Sequence, residues 1–503
     1  MSYDVEGDSM SRWFETIIQK VTPSTTKPIV VLDSFGFLNF AEVQKQLTEQ
    51  GYSLIFAEPN IQARMKYELE VKNRENTILV ISGKYNLVDD IKAFSFIVEL
   101  NPREIFRNFD EKAIKGLSFA ELNKIDSIPI YKELSFDETV SFVSDVFQKD
   151  NAKQTEELNK NANDLLEYLP EQIKTIEDNY KDWFAIAQKL GELGYDVFEL
   201  NDKEYFAKYK EVLNMINNRF QIFVSKNYEL LFSLSGLKSP ITIDKVQDFI
   251  AANSKNKKIA FIVIDGMNYW QWTLLKHSLE KENLNVTEKT SFSWLPSITA
   301  WARQAIFAGK KPDLTITNRN EGDLFKNYWV EKYQKQRYQV SYEAVKNNEK
   351  IKVPSSDVTV AGFVTNGLDE LMHGNILGYE QLFINTQLWI EKSCICESIK
   401  DLHKAGYEVY ISTDHGNIEA ELNLKLTAGQ KTVILSKSKR FVQFDTEEQA
   451  ISFIENNKKY QLGKKDKSVY FRDTNGFGSS GEKVITHGGS HILELLIPVG
   501  VIK

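Results

Sequence analysis

The sequence predicts an α/β chain whose C-terminal half is a central, mostly parallel sheet flanked by helices. A helical region and a small N-terminal α/β domain precede it. Three observations predict this. Continuous Val/Ile runs such as KIAFIVID, DVTVAGFV, GYEVYISTD and HILELLIPVGVI recur after residue 257, as in strands buried on both faces. Apolar residues repeat three and four apart between about 137 and 236, as on amphipathic helices. Shorter apolar runs alternate with helical spacing near the N-terminus. The domains are read as 1–130, 131–250 and 251–503.

In the first domain PIVVL (28–32), SLIFA (53–57) and TILVIS (77–82) read as strands, with FAEVQKQLTEQGY a helix stopped by glycine. Asp33 follows the first strand, where a ligand residue can stand, although helix capping or turn chemistry is the better reading of an Asp there. The second domain begins with SFDETVSFVSDVFQKD behind a capping-type residue. It continues through TEELNKNANDLLEYL, EQIKTIEDNYKDWFAIAQKLGEL and the segment from Lys203. Its Glu/Lys alternation reads as a solvated face. Tyr205, Phe206, Tyr209 and Phe220 read as packed core. The polar stretch ANSKNKK (252–258) separates this region from the third domain.

With 503 residues the chain is too long for a single ordinary core. A net charge of −8 excludes a surface built throughout to coat nucleic acid, though not a local basic cleft. The two cysteines, Cys394 and Cys396, cannot form a disulfide framework, and they suit a reducing cytoplasm. They read as small buried helix residues. The N-terminus has no basic segment followed by an apolar run, so no signal peptide is expected. No stretch approaches the ~20 apolar residues of a spanning helix, so no membrane association is expected.

Chemistry-capable residues gather where strands end. Asp265 closes the run IVID and precedes Gly266; Asp414 and His415 close VYIST and precede Gly416. Asp369 and His373 stand four apart, on one helical face. His487 precedes two glycines before the last strand, and His491 follows in the same motif. His277 and His403 lie in Lys-rich helical surroundings and read as surface residues. Three Asp and three His suit Zn²⁺, with manganese or iron as alternatives. Six ligands exceed the needs of one ion, whereas two ions sharing them keep positions open for substrate. In SWLPSITAWARQ, Thr299 falls at a helix start, where backbone N–H groups can hold a phosphate oxygen. A metal-bound Thr299 hydroxyl would be a nucleophile. Arg303, one turn on, could clamp a phosphoryl group. Ser297 or Thr299 acting only as an N-cap is the plainer alternative.

The series Asp-Gly-Met, Pro-Ser-x-Thr with a following Arg, Asp-x-x-x-His, Asp-His-Gly and His-Gly-Gly resembles the PglZ domain over about residues 258–502. That family belongs to the alkaline-phosphatase superfamily and occurs in bacterial phage-defence (BREX) systems and some signalling proteins. The resemblance implies an alkaline-phosphatase-like fold and a metal-dependent hydrolase. It implies one ion held by Asp265, Thr299, Asp414 and His415, and a second by Asp369, His373 and His487. It further implies attack by Thr299 through a phosphothreonine intermediate, with Arg303 steadying the phosphoryl oxygens. Phosphodiesters of nucleotides or nucleic acid become the expected substrates, and other defence proteins the expected partners. A phosphomonoesterase, or a non-catalytic scaffold subunit, shares most of these features. A sulfatase does not, because Pro296 precedes the hydroxyl residues instead of following the nucleophile. Residues 425–483 hold 12 Lys/Arg against 7 Asp/Glu, which either attract an anionic substrate or form a charged surface loop.

Overall fold

The computed structural model describes residues 12–83, 87–177, 179–254, 257–315, 320–346, 349–373, 378–426, 438–478 and 481–503. The chain forms two compact units, Met1–Gln154 and Thr155–Lys503.

The first unit is built on a four-stranded parallel sheet: β1 (Ile29–Asp33), β2 (Ser53–Ala57), β3 (Thr77–Ser82) and β4 (Phe96–Glu99), in the order β2-β3-β1-β4. The first three strands coincide with the apolar runs, because β1 and β3 lie inside the sheet and are buried along most of their length. β4 escaped the sequence reading. It is a short edge strand in which only Val98 is buried, so it lacks an apolar run. Asp33 performs turn chemistry: its carboxylate accepts the N–H groups of Gly36 (2.8 Å), Phe37 (3.1 Å) and Leu38 (2.7 Å). Gly36 has φ +96°, which suits glycine in this turn.

Three long helices follow, Phe136–Thr175, Tyr180–Leu200 and Lys203–Leu231. The run EQIKTIEDNYKDW is split, with one helix ending at Thr175 and the next capped by Asn179, whose side chain accepts the Lys181 N–H. The last two helices form a hairpin whose Trp183, Phe184, Phe220 and Phe223 share one core with Phe292 of the second unit's sheet. Gly191 and Gly194 let the hairpin approach the helix Tyr269–Lys281 closely. A Cβ on either would stand 3.0 Å from Tyr269 or Trp270. Phe206, Tyr209 and Phe220 are buried and Tyr205 is half-buried.

The sheet of the second unit contains β5 (Lys258–Ile264), β6 (Val286–Phe292), β7 (Val340–Val345), β8 (Val360–Thr365), β9 (Tyr407–Ser412) and β16 (Leu496–Ile502), in the order β6-β16-β9-β5-β8-β7. β5, β8 and β9 are the buried, mostly apolar runs expected of central parallel strands. β6 and β7 lie at the edges, and their mixed VTEKTSF and VSYEAV hid them from an apolar-run reading. The last strand departs from the expected parallel kind: β16 is antiparallel to both β6 and β9. The reason is positional. The chain reaches His487 at the edge where the parallel strands end, and turns straight back down the sheet.

Between β9 and β16 the described residues form two small sheets. β10 (Ile418–Leu424) pairs with β14 (Asn475–Phe477) and β15 (Glu482–Thr486), and β13 (Ser468–Phe471) pairs with β11 (Phe441–Gln443) and β12 (Leu462–Lys465). Val442, Phe453, Val469, Phe471 and Phe477 give this insertion its own core, so it is more than a charged loop. Residues 427–437 of it lie outside the described residues.

One buried carboxyl is a liability of the helical hairpin. Burial, and then the charges of Glu192 and Glu157, push Asp196 up to about 7. An acid whose folded pKa is raised contributes its stability at low pH, and that stability is lost as pH rises from its unfolded value toward about 7. Asp196→Asn should therefore stabilise the protein at pH 8 and change little at pH 4. Urea melts of both proteins at the two pH values check the sign.

Candidate active site

Each site segment starts at one edge of the second sheet. The Asp265 N–H donates to Thr365 O (2.9 Å), continuing the β5–β8 ladder by one residue, and the Asp265 side chain lies beyond the ladder. Gly266 follows with φ +70°. A Cβ there would meet only the flexible end of Met372, Cε at 2.4 Å, so conformation more than space reserves the position for glycine. Its N–H donates to Asp414 Oδ1 (3.1 Å), which also accepts the His415 N–H (3.0 Å). Asp265, Asp414 and His415 are buried, and one ligand atom from each lies within 4.8 Å of the others.

The histidine tautomers follow from their anchors. His415 Nδ1 lies 2.9 Å from Gly416 O, and His487 Nδ1 lies 2.8 Å from Ser297 O. A carbonyl only accepts, so Nδ1 carries the hydrogen in each ring and Nε2 is the acceptor. His415 Nε2 stands 2.9 Å from Thr299 Oγ1, 3.6 Å from Asp414 and 3.7 Å from Asp265. The His487 ring stacks on it, with centroids 3.9 Å apart and planes 12° apart. Thr299 opens the helix Thr299–Ala308, whose N-cap Ile298 supplies no side-chain cap.

Arg303 lies one turn into that helix and is nearly buried. Its Nη2 donates to Asp265 Oδ2 (2.5 Å) and Asn366 Oδ1 (2.6 Å), its Nε to Asp414 Oδ2 (3.3 Å) and its Nη1 to Glu321 Oε1 (3.3 Å). Glu321 in turn accepts the Tyr342 hydroxyl at 2.6 Å. Burial opposes the guanidinium charge, but Asp265, Asp414 and Glu321 overcome it and hold its pKa above the ordinary arginine value. Burial and the Asp414 charge push Asp265 well above the usual carboxylate range, and Arg303 only partly offsets them.

Asp369 and His373 stand on the helix Gly367–His373, just past β8. The Asp369 carboxylate lies 3.7 Å from where a Gly266 Cβ would stand, and its charge raises the Asp265 pKa further. The His373 side chain lies outside the described residues. Asp265, Thr299, Arg303, Asp414, His415 and His487 are thus brought together, and Asp369 borders them. Among the described residues Asp369 and His487 join no second three-ligand group. His491 stands apart from them: it caps the helix Ile492–Leu495, with Nδ1 accepting the Leu493 N–H, and burial pushes its pKa well below the ordinary histidine value.

Several residues support the site in ways the sequence did not signal. Ser297 is no helix cap; its Oγ donates to Gly489 O (3.0 Å) and accepts the Gly488 N–H (3.0 Å), fixing the loop that carries His487. Arg440 and Glu494, both fully buried, form a two-pronged pair at 3.0 Å on each prong. Glu494 also accepts the N–H groups of Gly489 and His491. Asn366 alone was within reach of the strand-end rule, since it directly follows β8.

The donor set suits divalent cations. Imidazoles anchored through Nδ1–H to backbone carbonyls, with Nε2 as acceptor, have the supported form of metal-ligating histidines. Asp265 Oδ1 is buried without a hydrogen-bond partner among the described residues. Two buried carboxylates and their neighbour Asp369 also present more negative charge than Arg303 alone balances.

A mixed sheet with Asp, His and a helix-opening Thr at the edge where its parallel strands end defines an alkaline-phosphatase-like domain. Residues 243–502 match the family described as the BREX system PglZ alkaline phosphatase-like domain, and the chain belongs to that family. No curated protein matches the sequence. Among solved structures, murine ectonucleotide pyrophosphatase/phosphodiesterase 5 aligns at 11% identity and a TM-score of 0.32, covering 48% of this chain and 87% of that one. Phosphonoacetate hydrolase from Sinorhizobium meliloti 1021, in complex with phosphonoacetate, aligns at 10% identity and a TM-score of 0.31, covering 49% and 90%. Among the described residues no helix is long and apolar enough to cross a membrane.

The Arg440–Glu494 pair yields a test of how the His487 loop is held. Arg440→Met strands a buried carboxylate and should destabilise the protein by about 3–5 kcal/mol. Arg440→Met with Glu494→Leu should recover only part of that loss in chemical denaturation, because the Gly489 and His491 N–H groups then lose their acceptor.

Proposed function

We propose that the chain is a two-metal phosphodiesterase acting on nucleotide or nucleic-acid phosphodiesters, with Thr299 as nucleophile, in a bacterial phage-defence system. One observation carries the reading: Thr299 Oγ1 lies 2.9 Å from an acceptor nitrogen that itself faces two buried carboxylates. A hydroxyl held on that acceptor is oriented, which a nucleophile needs and a helix cap does not.

Asp265, Asp414, His415 and Thr299 would hold one divalent cation, and Asp369, His373 and His487 the second, zinc by donor type with manganese as the alternative. Bound cations would lower the pKa of the threonine hydroxyl and offset charge on the phosphoryl oxygens. Thr299 Oγ1 then forms a bond to phosphorus as the bond to the leaving alcohol oxygen breaks, giving a phosphothreonine. Water cleaves that ester and restores the hydroxyl. Arg303 keeps Asp265 and Asp414 in register through its donors, and borders the position of the phosphoryl group. The family supports a phosphoesterase, and the Lys/Arg excess of residues 425–483 supports an anionic substrate such as a nucleotide or nucleic acid. The family's BREX association supports the defence role and protein partners. The free cysteines fit a cytoplasmic location.

The test compares a chromogenic phosphodiester with the matching monoester, using wild type and Thr299→Ala, chelated and zinc-reloaded. Diester cleavage should vanish on chelation, return with zinc and fall by roughly 1,000-fold or more in Thr299→Ala. No turnover by metal-loaded wild type would transfer the weight to a scaffold role. Faster monoester cleavage would make it a phosphomonoesterase.

A further inference from the structure

The hairpin of helices Tyr180–Leu200 and Lys203–Leu231 does more than cover the sheet. Where its second helix passes β10, a cavity of about 540 Å³ opens, within the ~300–1,000 Å³ usual for small-molecule sites. Its floor is aromatic. Phe198 is surrounded by Phe206, Tyr209 and Tyr379, each with its ring centroid 5.5 Å away. Its rim is charged, with Glu380, Glu419 and Glu421 against Lys210 and Lys483. Glu419 is already engaged, by Lys210 (3.1 Å) and by the Tyr379 N–H (3.3 Å). Glu421 is exposed and makes no ion pair among the described residues.

An aromatic floor under a carboxylate rim selects a flat ring with N–H donors along one edge. Three carboxylates against two ammonium groups disfavour a polyanion. Among the nucleobases, adenine and cytosine set an acceptor nitrogen beside their amino group, and that nitrogen would face carboxylate lone pairs. Guanine sets N1–H and the 2-amino group side by side, matching the two oxygens of one carboxylate. We propose that this cavity is a binding site for a guanine base, its ring over Phe206 and Tyr379 and its two-donor edge on Glu421. The site is joined to the candidate active site. Tyr379 Oη donates to Asn417 O (2.8 Å), and Asn417 Nδ2 donates to Gly266 O (2.8 Å). An occupant therefore rests on the hydrogen-bonded unit that holds the Asp265 and Asp414 loops.

Isothermal titration of the full chain with guanosine and with adenosine tests this. Neither contains phosphorus, so the outcome is independent of the phosphodiesterase reading, and Thr299→Ala should bind guanosine as wild type does. Saturable one-to-one binding of guanosine is expected, with adenosine weaker by roughly tenfold or more, the worth of one lost hydrogen bond to a charged group. Glu421→Gln should weaken guanosine by a similar factor. Asn214→Trp, at an exposed lining position, should abolish binding by filling the mouth. Both variants should melt at the wild-type temperature. Failure of guanosine to saturate wild type would overturn the proposal, as would equal binding of the two nucleosides or indifference to Asn214→Trp.

Discussion

The second unit is organised around a charge problem: two carboxylates, Asp265 and Asp414, buried side by side at the end of adjacent strands. Burying one ionised carboxylate is costly, and burying two together is prohibitive unless positive charge stands between them. Arg303 supplies that charge from inside the protein, touching both carboxylates along with Asn366 and Glu321. Its position fixes the start of the helix Thr299–Ala308, and so the position of Thr299. The same arginine that looks like a substrate clamp in the sequence is therefore first a counterion of the site's own acids.

A second constraint is geometric. The strands that deliver Asp265 and Asp414 are parallel neighbours, and β6 leads to Thr299 at the same edge. His487 precedes its strand and could not reach that edge if β16 were parallel too. Running antiparallel between β6 and β9, β16 begins where its neighbours end. Ser297 then ties the two chain segments together by bonding to both Gly488 and Gly489, while its carbonyl orients His487. Nucleophile loop and histidine loop are in this way one hydrogen-bonded body.

The hairpin of long helices belongs to the same core as the sheet and holds the His487 loop directly. Asn217 Nδ2 donates to Arg472 O (2.9 Å), Gln221 Nε2 to Ser490 O (2.8 Å), and the Ile492 N–H to Asn217 Oδ1 (3.1 Å). Two polar residues on an otherwise apolar helical face are unfavourable unless satisfied, and these are satisfied by each other, by Arg472 O and by the loop after His487.

What the sequence alone determined were the features set by local pattern. β5, β8 and β9 read as strands because central parallel strands, buried on both faces, are mostly apolar. Asp265, Asp414 and His415 read as site residues because strand ends in such sheets point at ligands, and Thr299 because a helix start presents backbone N–H groups. Tertiary structure alone decided the rest. The edge strands β4, β6 and β7 carry mixed residues, since half of each faces solvent, so no apolar run marks them. The direction of β16 depends on where the preceding loop is anchored, which its own residues do not encode. The partners of Arg303, the clamp made by Ser297, and the Arg440–Glu494 pair join residues 18 to 192 positions apart. Hydrogen bonds and ion pairs at that separation exist only once the core has brought their segments together, because no local periodicity or propensity relates the residues that form them.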